Sequence, residues 1–373
     1  MRILFFSKKL SGGGAERVLV NLSEELTRRG HEVCIALNQN IIDYDLDSRV
    51  QIIEQPDSLV KKSLLQKVCG KLLSRKKIYT FTRDTIKTIK PDVIITFLHC
   101  NMLPIICYHG NIPIIHSEHN AYDRNLGFKY YFERFYLNRF FSKVCVLTPF
   151  DSGFANAKGL NNTIVMPNPN TFDSISKDEY SQLFPQRKNI LICGRVSDWK
   201  VKGMDLALMS FAKIAEQYPD VTLDIVGLFD ETSRDYLTKM SYELEIQDQI
   251  KFCGQQYNVK EIMQQHQFLI LSSRTEGFPM VVTEAMTQGL PCVCFEKLAT
   301  SIITNGIDGL LVNNNDLDAL ADALRTMITN KEMRYRMGLE SIKNVERFSR
   351  KAIVDRWETH IFNAKVHDKS FVG

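Results

Sequence analysis

The sequence contains no long apolar run. No stretch approaches the roughly 18 uncharged apolar residues that a membrane-spanning helix requires. The first six residues, Met-Arg-Ile-Leu-Phe-Phe, are too short for the core of a signal peptide and lead into a glycine loop. We therefore expect the protein to stay in the cytoplasm.

The charge balance and the cysteine spacing argue against further classes of protein. The 373 residues include 47 Lys and Arg against 43 Asp and Glu, a net charge of +4 that does not by itself argue for a nucleic-acid partner. The nine cysteines form no C-x-x-C pair, so zinc or redox chemistry is not expected. Six of them lie in or beside apolar runs, where reduced cysteine packs as a small hydrophobe: Cys34, Cys100, Cys145, Cys193, Cys292 and Cys294.

Short apolar runs alternate with amphipathic stretches along the whole chain. Residues 3–6 have the pattern of a buried strand, and residues 15–29 that of a helix that stops at Gly30. Alternating strands and helices imply parallel sheets covered on both faces, so we predict an α/β fold with two doubly wound domains. Further strands are predicted at residues 33–37, 93–97, 112–115, 144–147, 190–193, 222–226, 250–252, 268–271 and 293–295.

A polar stretch rich in helix breakers, beginning at Pro167-Asn168-Pro169, marks the domain boundary. We predict an N-terminal domain over residues 1–170, a hinge over 171–187 and a second domain over 188–350. A helix over residues 351–373 could pack back on the first domain. Ligands bind at the carboxyl ends of the strands in such sheets, so a substrate is expected in a cleft between the domains.

Two segments of the first half carry candidate site residues. Gly12, Gly13 and Gly14 separate the first strand from the first helix, where backbone amides can approach an anion, although a tight turn explains them about as well. The loop is neither a dinucleotide fingerprint nor a P-loop. His116 and His119 end a predicted strand. Their spacing is weak evidence for a metal, and we favour His119 as a residue that faces the ligand.

The second half repeats the strand-loop-helix arrangement with charged residues. Arg195 and Lys202 follow a strand and precede a helix, and two cations there suit a diphosphate. Glu276 and Glu284 are spaced E-x7-E. They can bind hydroxyl groups, Glu276 from a loop and Glu284 from the helix after it. A paired-acid glycosidase mechanism is possible on this pattern, but the cations indicate an anionic ligand. The D-x-D at residues 43–45 is interpreted as part of a turn that lies far from the candidate phosphate-binding loops, the glycine loop included.

Two segments of the first half suit a membrane surface. Residues 61–90 hold ten Lys or Arg against one acid, and residues 128–141 hold eight aromatic residues among three Arg or Lys. A basic amphipathic helix beside an aromatic one can lie on an anionic membrane, although a solvated helix and ordinary core aromatics are the alternative. No nucleic-acid motif accompanies the charge. The residues expected to contact the membrane or the acceptor are Lys67, Lys71, Arg75 and Lys76.

Taken together, these motifs resemble those of the group 1 glycosyltransferases, glycosyltransferase family 4, which have the GT-B fold and retain the anomeric configuration. The resemblance spans nearly the whole chain, in order, and is closest to bacterial enzymes that extend undecaprenyl-diphosphate-linked glycans, such as N-acetylgalactosamine transferases. The motifs are Gly-Gly-Gly-Ala-Glu-Arg (12–17), Ser-Glu-His (117–119), Pro-Asn-Pro (167–169), Gly-Arg to Lys-Gly (194–203), Glu-Gly-Phe-Pro to Gly-Leu-Pro (276–291) and Asn-Gly-Ile-Asp-Gly-Leu-Leu-Val (305–312).

The resemblance implies a role for each candidate residue. Arg195 and Lys202 would neutralise the departing diphosphate, so no metal or other cofactor is expected. Glu276 would bind hydroxyls of the donor sugar, and His119 would lie near the transferred sugar. The remaining donor-binding residues would be Gly13, Gly14, Gly277, Phe278, Pro279, Met280 and Glu284, the last on the ribose.

The resemblance also implies the partners: a nucleotide sugar, with UDP preferred, a lipid-linked saccharide acceptor and the inner face of the cytoplasmic membrane. The activity would serve capsule, O-antigen or glycoprotein glycan synthesis. One departure is an extra residue between Arg195 and Lys202, which leaves Lys200 as an alternative at the diphosphate. Two other functions stay open: an epimerase or hydrolase of nucleotide sugars with the same architecture, and a non-catalytic subunit of glycan assembly.

Overall fold

The fold consists of two compact units. The computed structural model describes residues 1–56, 64–122 and 127–362, and of residues 64–75 and 362 only the backbone. One unit comprises Met1–Pro169 together with the chain from Arg350 onwards, and the other comprises Asn170–Ser349. The chain therefore passes between the units twice, close to Pro169 and close to Arg350.

The first unit is built on a parallel sheet of seven strands. Their order, β3-β2-β1-β4-β5-β6-β7, reverses direction at β1 and β4, as in a Rossmann fold. The first strand is almost wholly buried because it is central and covered on both faces, and its Phe5 pairs with Ile35 and Ile95. The strands are β1 (Arg2–Ser7), β2 (Glu32–Leu37), β3 (Gln51–Glu54), β4 (Val93–Phe97), β5 (Ile114–Ser117), β6 (Lys143–Val146) and β7 (Thr163–Val165).

The second unit repeats this plan with six parallel strands. Their order is β10-β9-β8-β11-β12-β13, so the reversal falls between β8 and β11. The two sheets confirm the predicted α/β class with two doubly wound, Rossmann-like domains. The strands are β8 (Lys188–Cys193), β9 (Leu223–Val226), β10 (Ile250–Gly254), β11 (His266–Leu271), β12 (Cys292–Phe295) and β13 (Gly309–Val312).

Helices connect the strands and cover the sheets. Helix α1 places Val18, Leu19, Leu22 and Leu26 in the core and ends before Gly30, which has a positive φ of 87°. The helices are α1 (Gly14–Arg28), α2 (Leu64–Ile89), α3 (Met102–Tyr108), α4 (Phe128–Phe135), α5 (Pro149–Ala157), α6 (Lys177–Leu183), α7 (Trp199–Lys202), α8 (Met204–Ala215), α9 (Glu231–Glu243), α10 (Val259–Gln265), α11 (Met280–Thr287), α12 (Glu296–Ala299), α13 (Leu317–Thr329), α14 (Lys331–Val345) and α15 (Arg350–Trp357).

Helix α15 packs on α1, within the first unit. The guanidinium of Arg29 lies 2.6 Å from carboxylate oxygens of both Asp355 and Glu358, and it also contacts Glu25. These ion pairs, with the buried side chain of Trp357, fix the last described helix to the first one of the chain.

Residues 171–187, predicted to form a hinge, belong instead to the second unit. They contain α6, whose Tyr180 is fully buried and stacks on Tyr335 of α14 at 5.4 Å between ring centres. Arg187 is also buried and donates to the carbonyl oxygens of Gln288 and Gly289. The polar composition of this stretch therefore reflects a helix with one buried face, and not a solvated linker.

The eight cysteines that the structure describes are all unpaired, as the sequence indicated. Five of the six in apolar runs are buried and Cys193 is half-buried. Within the described residues, no helix combines the length and the apolar character needed to cross a membrane.

Candidate functional site

In the second unit, two predicted site residues meet at the point where the strand order reverses. Lys202 ends α7, in the loop region after β8, and Glu276 lies in the loop after β11, the strand next to β8. Their side chains form an ion pair with 2.8 Å between Nζ and Oε1, and Ser273 Oγ donates to the same oxygen at 2.7 Å. The side chains are 29% and 13% exposed, so the pair is shielded but reachable. A ligand at the carboxyl edge of this sheet would meet both charges.

Backbone contacts hold these two loops together. Gly203 has a φ of 62°, and a side chain there would overlap the carbonyl oxygen of Ser272. Ser272 Oγ donates to the Gly203 carbonyl at 2.7 Å. Arg274 donates to the carbonyl of Lys200 at 2.5 Å and makes a two-pronged ion pair with Asp205. The Lys202–Glu276 pair therefore sits on a fixed backbone, which suits a preorganised site.

The other two cations of the segment lie in more open positions. Arg195 is exposed and its guanidinium is 3.2 Å from Asp198. The side chain of Lys200 is exposed, whereas Lys202 lies over Gly194 with its ammonium on Glu276. The geometry favours Lys202 over Lys200 as the lysine that would face a ligand at the strand ends.

The start of α11 supplies fewer amides than the sequence suggested. Pro279 has no amide hydrogen, and the amide of Met280 donates to the Phe278 carbonyl at 2.8 Å. The set expected to help bind the donor is therefore reduced to the amides of Gly277 and Phe278. The ring of Phe278 is buried edge-to-face against Phe348, 5.5 Å between centres, which anchors the turn.

Glu284 lies on α11 and is half-buried. Burial raises the pKa of the Cys193 thiol to about 12, and the nearby Glu284 carboxylate adds to the shift. Because Cys193 ends β8, the carboxylate of Glu284 lies close to the carboxyl end of that strand. It thus belongs to the same edge as Lys202 and Glu276.

In the first unit, the glycine loop is packed more closely than expected. A side chain on Gly13 would collide with the carboxylate of Glu16, one turn into α1. The hydroxyl of Tyr44 donates to the Gly13 carbonyl at 3.0 Å, so the segment at residues 43–47 lies beside the loop and not far from it. That part of the interpretation of the D-x-D was wrong. Asp47 pairs with Arg49 at 2.6 Å, as expected of turn chemistry, and Gly14 begins the helix.

His119 lies just beyond β5, in the same unit. Its ring stacks on Phe97 with 4.8 Å between centres, and its Nε2 lies 3.0 Å from Ser117 Oγ. Burial lowers the pKa of His119 to about 4, against the opposing influence of Glu118 and Asn168. The imidazole is therefore neutral at physiological pH and can both donate and accept a hydrogen bond.

A buried charged network lies beneath His119. Glu118 Oε2 is 2.7 Å from His99 Nε2 and 3.0 Å from Arg134 Nε, and its Oε1 accepts from the amides of His119 and Asn120. Burial opposes ionisation of Glu118, but His99 and Arg134 hold the pKa of its carboxyl well below its usual range. The network fixes the loop that carries His119.

His116 lies beside this network, with its ring centre 4.7 Å from that of His99, and neither of its ring nitrogens has a hydrogen-bond partner in the part of the chain that the structure describes. It is fully buried, and burial holds its pKa well below the usual value. Within the described ranges, His99, His116 and Glu118 form the one group of three or more His, Cys, Asp or Glu residues whose potential metal-ligand atoms lie within 4.8 Å of each other. Because Arg134 already neutralises Glu118, we interpret the group as a structural ion-pair network. The sequence offered His116 and His119 as a weak candidate for a metal-binding pair. The fold instead groups His116 with His99 and Glu118.

Sequence reasoning assigned no role to Ser273, Tyr44 or His99. It counted Arg134 among the cations of the membrane-facing segment 128–141, whereas the structure buries that side chain against Glu118. Ser273 stands in the motif of Glu276, so the strand-end position could have indicated it. Tyr44, His99 and Arg134 come to contact Gly13 or Glu118, the neighbour of His119, only through the fold, over 16 to 31 positions of sequence. Of the predicted membrane residues, the side chains of Lys67, Lys71 and Arg75 lie outside the described part, and Lys76 is exposed on α2.

Comparison with known families assigns both units. Residues 12–152 match the description "Glycosyltransferase Family 4", and residues 174–344 match "Glycosyl transferases group 1". The chain belongs to the group 1 glycosyltransferases. The family and the two sheets together confirm the GT-B fold that the motifs indicated.

This glycosyltransferase has similar proteins along its whole length. It is 27% identical to an uncharacterised glycosyltransferase of Haemophilus influenzae over 96% of this chain and 99% of that one. It is 26% identical to a Campylobacter jejuni alpha-1,4-N-acetyl-D-galactosaminyltransferase named for an undecaprenol-linked glycan, over 96% and 97%. TarM of S. aureus, solved with fondaparinux, alpha-GlcNAc-glycerol and UDP, has the same fold, with a TM-score of 0.75, 13% identity and coverage of 96% and 99%.

Proposed function

We propose that this protein is a retaining glycosyltransferase. It moves a hexose or N-acetylhexosamine from a nucleotide-diphosphate sugar to a lipid-linked saccharide during synthesis of a bacterial surface polysaccharide or glycoprotein glycan. The observation that carries the proposal is the Lys202–Glu276 pair, held by two joined loops at the reversal point of the second sheet. The family membership supports sugar transfer, and the pair supplies charges of both signs for its substrate.

The two cations would act on the leaving group. During transfer, the bond from the anomeric carbon to the diphosphate oxygen breaks, and charge accumulates on the diphosphate. Lys202 and Arg195 would stabilise that charge, as would the amides of Gly277 and Phe278. The acceptor oxygen bonds to the anomeric carbon on the same face, and its proton leaves with the diphosphate. No divalent metal is needed in this scheme, because the two side chains neutralise the leaving group.

The carboxylates would select the donor. When Lys202 turns towards a phosphate, Glu276 would accept hydrogen bonds from hydroxyl groups of the sugar. Glu284 would accept hydrogen bonds from the hydroxyl groups of the ribose. We propose UDP as the nucleotide, on the strength of the UDP in the TarM complex. We also propose Gly13 and Gly14, in the first unit, as donor-binding residues. Neutral His119 would lie near the transferred sugar, where it can donate to a hydroxyl group without adding charge.

The Campylobacter relative, whose name specifies an undecaprenol-linked glycan, supports the proposed acceptor and location. A polyprenyl acceptor stays in the bilayer, so the enzyme would work as a peripheral protein on the inner face of the cytoplasmic membrane. The basic stripe with Lys67, Lys71, Arg75 and Lys76 belongs to the first unit, to which we assign the acceptor. Its charge suits anionic lipid.

The test offers the purified protein a pool of lipid-linked saccharides with one nucleotide sugar at a time, and follows products by mass spectrometry. We expect the acceptor to gain one hexose or N-acetylhexosamine unit with a UDP-sugar, and we expect Lys202→Ala to abolish the gain. Free sugar or an epimerised donor, formed without acceptor, would instead identify the hydrolase or epimerase alternative. No turnover with any donor would favour the non-catalytic subunit.

A further inference from the structure

Helix α4 and the 3-10 turn after it, Leu137–Phe140, present a group of exposed aromatic rings on the first unit. Phe128 is 84% exposed and Phe140 is 63% exposed, an unusual position for phenylalanine in a protein surface facing only water. We call this group the aromatic face. Its members are Phe128, Tyr130, Tyr131, Phe132, Tyr136 and Phe140.

Several members of the aromatic face contact one another or the core. Phe132 stacks on Tyr136 at 5.4 Å between ring centres, and Tyr131 contacts the buried Phe135 at 4.9 Å. Arg139 Nε donates to the Phe135 carbonyl at 2.9 Å, which joins the 3-10 turn to α4. These contacts fix Tyr131, Phe132 and Tyr136 on the surface of the first unit.

The charges around the aromatic face have one sign. The exposed charged residues of the segment 127–150 are Lys129, Arg139 and Lys143. Its single acid, Glu133, is turned inward, with its carboxylate oxygens 3.5 Å from His99 and 3.6 Å from Lys129. Aromatic rings with interspersed cations and no exposed acid match the headgroup region of an anionic bilayer, where amphipathic rings and Lys or Arg are both stabilised.

The aromatic face is also continuous with the basic helix. Helix α3 packs against both the 3-10 turn and α2, and the rings of Tyr79 and Tyr108 meet at 6.2 Å. Lys76 and Lys77 are exposed on α2 beside Tyr79. Further exposed cations therefore lie on an element that α3 joins to the 3-10 turn of the aromatic face.

We propose that the aromatic face inserts into the interface of an anionic lipid leaflet and is the main anchor of the protein there. The inference deepens the proposed function, because a lipid-linked acceptor lies in that leaflet. It differs from anchoring by the Lys67–Lys76 stripe alone, because ring insertion adds an apolar contribution that salt does not screen. The area exposed by the rings could also serve a second copy of the chain, and the test separates the two.

The test measures binding to vesicles of phosphatidylglycerol and phosphatidylcholine, with no donor and no acceptor present. The double substitution of Phe128→Ser and Phe140→Ser should weaken binding to anionic vesicles by about tenfold or more. The reason is that burial of one Phe ring raises the binding constant by at least about tenfold. The matched control replaces Tyr242 and Tyr257, 64% and 95% exposed on the second unit, by Ser and should bind like the wild type. Neutralising Lys129 or Arg139 should cost about fivefold each, on anionic vesicles only.

A probe for insertion completes the design. Phe128→Trp should show a blue-shifted emission with anionic vesicles and quenching by lipids brominated in the acyl chain. Unchanged vesicle binding by the Phe128/Phe140 double variant would overturn the proposal. So would a dimer in sedimentation velocity that this variant abolishes while vesicle binding persists, because the face would then belong to a second copy. Sugar transfer to a soluble acceptor analogue is measured separately, so failure of the anchor and failure of the proposed activity are distinguishable.

Discussion

At the scale of single residues, Lys200 and Lys202 lie two positions apart in different environments. Lys202 contacts Glu276 at 2.8 Å within the strand-end site, and Lys200 is exposed. If Lys202 stabilises the departing diphosphate, Lys202→Ala should lower kcat by about 100- to 1,000-fold, as removal of one preorganised donor does. Lys200→Ala is the matched control and should stay near the wild-type rate. Steady-state kinetics with a UDP-sugar would measure both.

The reverse pattern, with loss in Lys200→Ala and activity in Lys202→Ala, would contradict the assignment. It would mean that the extra residue after Arg195 shifts the register of the motif. Arg195→Ala should fall in the same range as Lys202→Ala, because both cations are proposed to act on the same charge.

Glu118 provides a second prediction at this scale. It is buried between His99 and Arg134, so Glu118→Gln would leave the guanidinium of Arg134 without its partner charge in the interior. Breaking a buried pair in this way costs about 3–5 kcal/mol of unfolding free energy. The exposed pair of Glu243 with Lys239 is the control, and Glu243→Gln should cost less than about 1 kcal/mol. Urea unfolding of both variants measures these losses of unfolding free energy. Equal small losses in the two variants would show that the network is not structural.

At the scale of elements, the close approach of the loops after β8 and β11 sets the geometry of the site. Gly203→Ala would place a methyl group on the Ser272 carbonyl in addition to the backbone strain at φ 62°. Gly306→Ala is the control, because it has a φ of 78° with open space around it and should cost about 1–2 kcal/mol. We expect Gly203→Ala to lose clearly more unfolding free energy and to raise the KM for the donor. Equal losses in the two variants would contradict the close packing of these loops.

The strands show what a sequence can and cannot establish at this scale. Central strands such as β1 and β4 were predicted within a residue or two, because burial on both faces makes them continuous apolar runs. The strands β3 and β7 were not predicted. They lie at the two edges of the first sheet, are short and only half-buried, and so have no continuous apolar run.

The sequence alone could not predict which residues of distant elements contact each other. The alternation of strands and helices predicted that Lys202 and Glu276 both follow strands, where ligands bind, but the 74 positions between them left the ion pair itself undetermined. The hinge failed for the same reason, since Tyr180 is buried by Tyr335, 155 positions later. Composition alone describes residues 171–187 as polar, and only the fold shows which face of α6 is covered.

At the scale of the whole molecule, the two units share the order of six strands, to which the first unit adds a seventh, and a charged or glycine-rich loop lies at each reversal point. The proposed division gives the donor to the second unit and the acceptor to the first. The neutralisation of the diphosphate by Arg195 and Lys202 then predicts that activity survives EDTA. Asp45→Ala, in the D-x-D beside the glycine loop, should be nearly silent. Loss of activity with EDTA that Mn²⁺ restores would contradict the metal-free scheme.

The most direct test of the central claim is the anomeric configuration of the product, determined by nuclear magnetic resonance. The substrates are a UDP-sugar and a synthetic undecaprenyl-diphosphate-linked saccharide. The account predicts a new glycosidic bond with the configuration of the donor, formed by the wild type and lost in Lys202→Ala. A product of inverted configuration, or transfer that Lys202→Ala leaves unchanged, would contradict it.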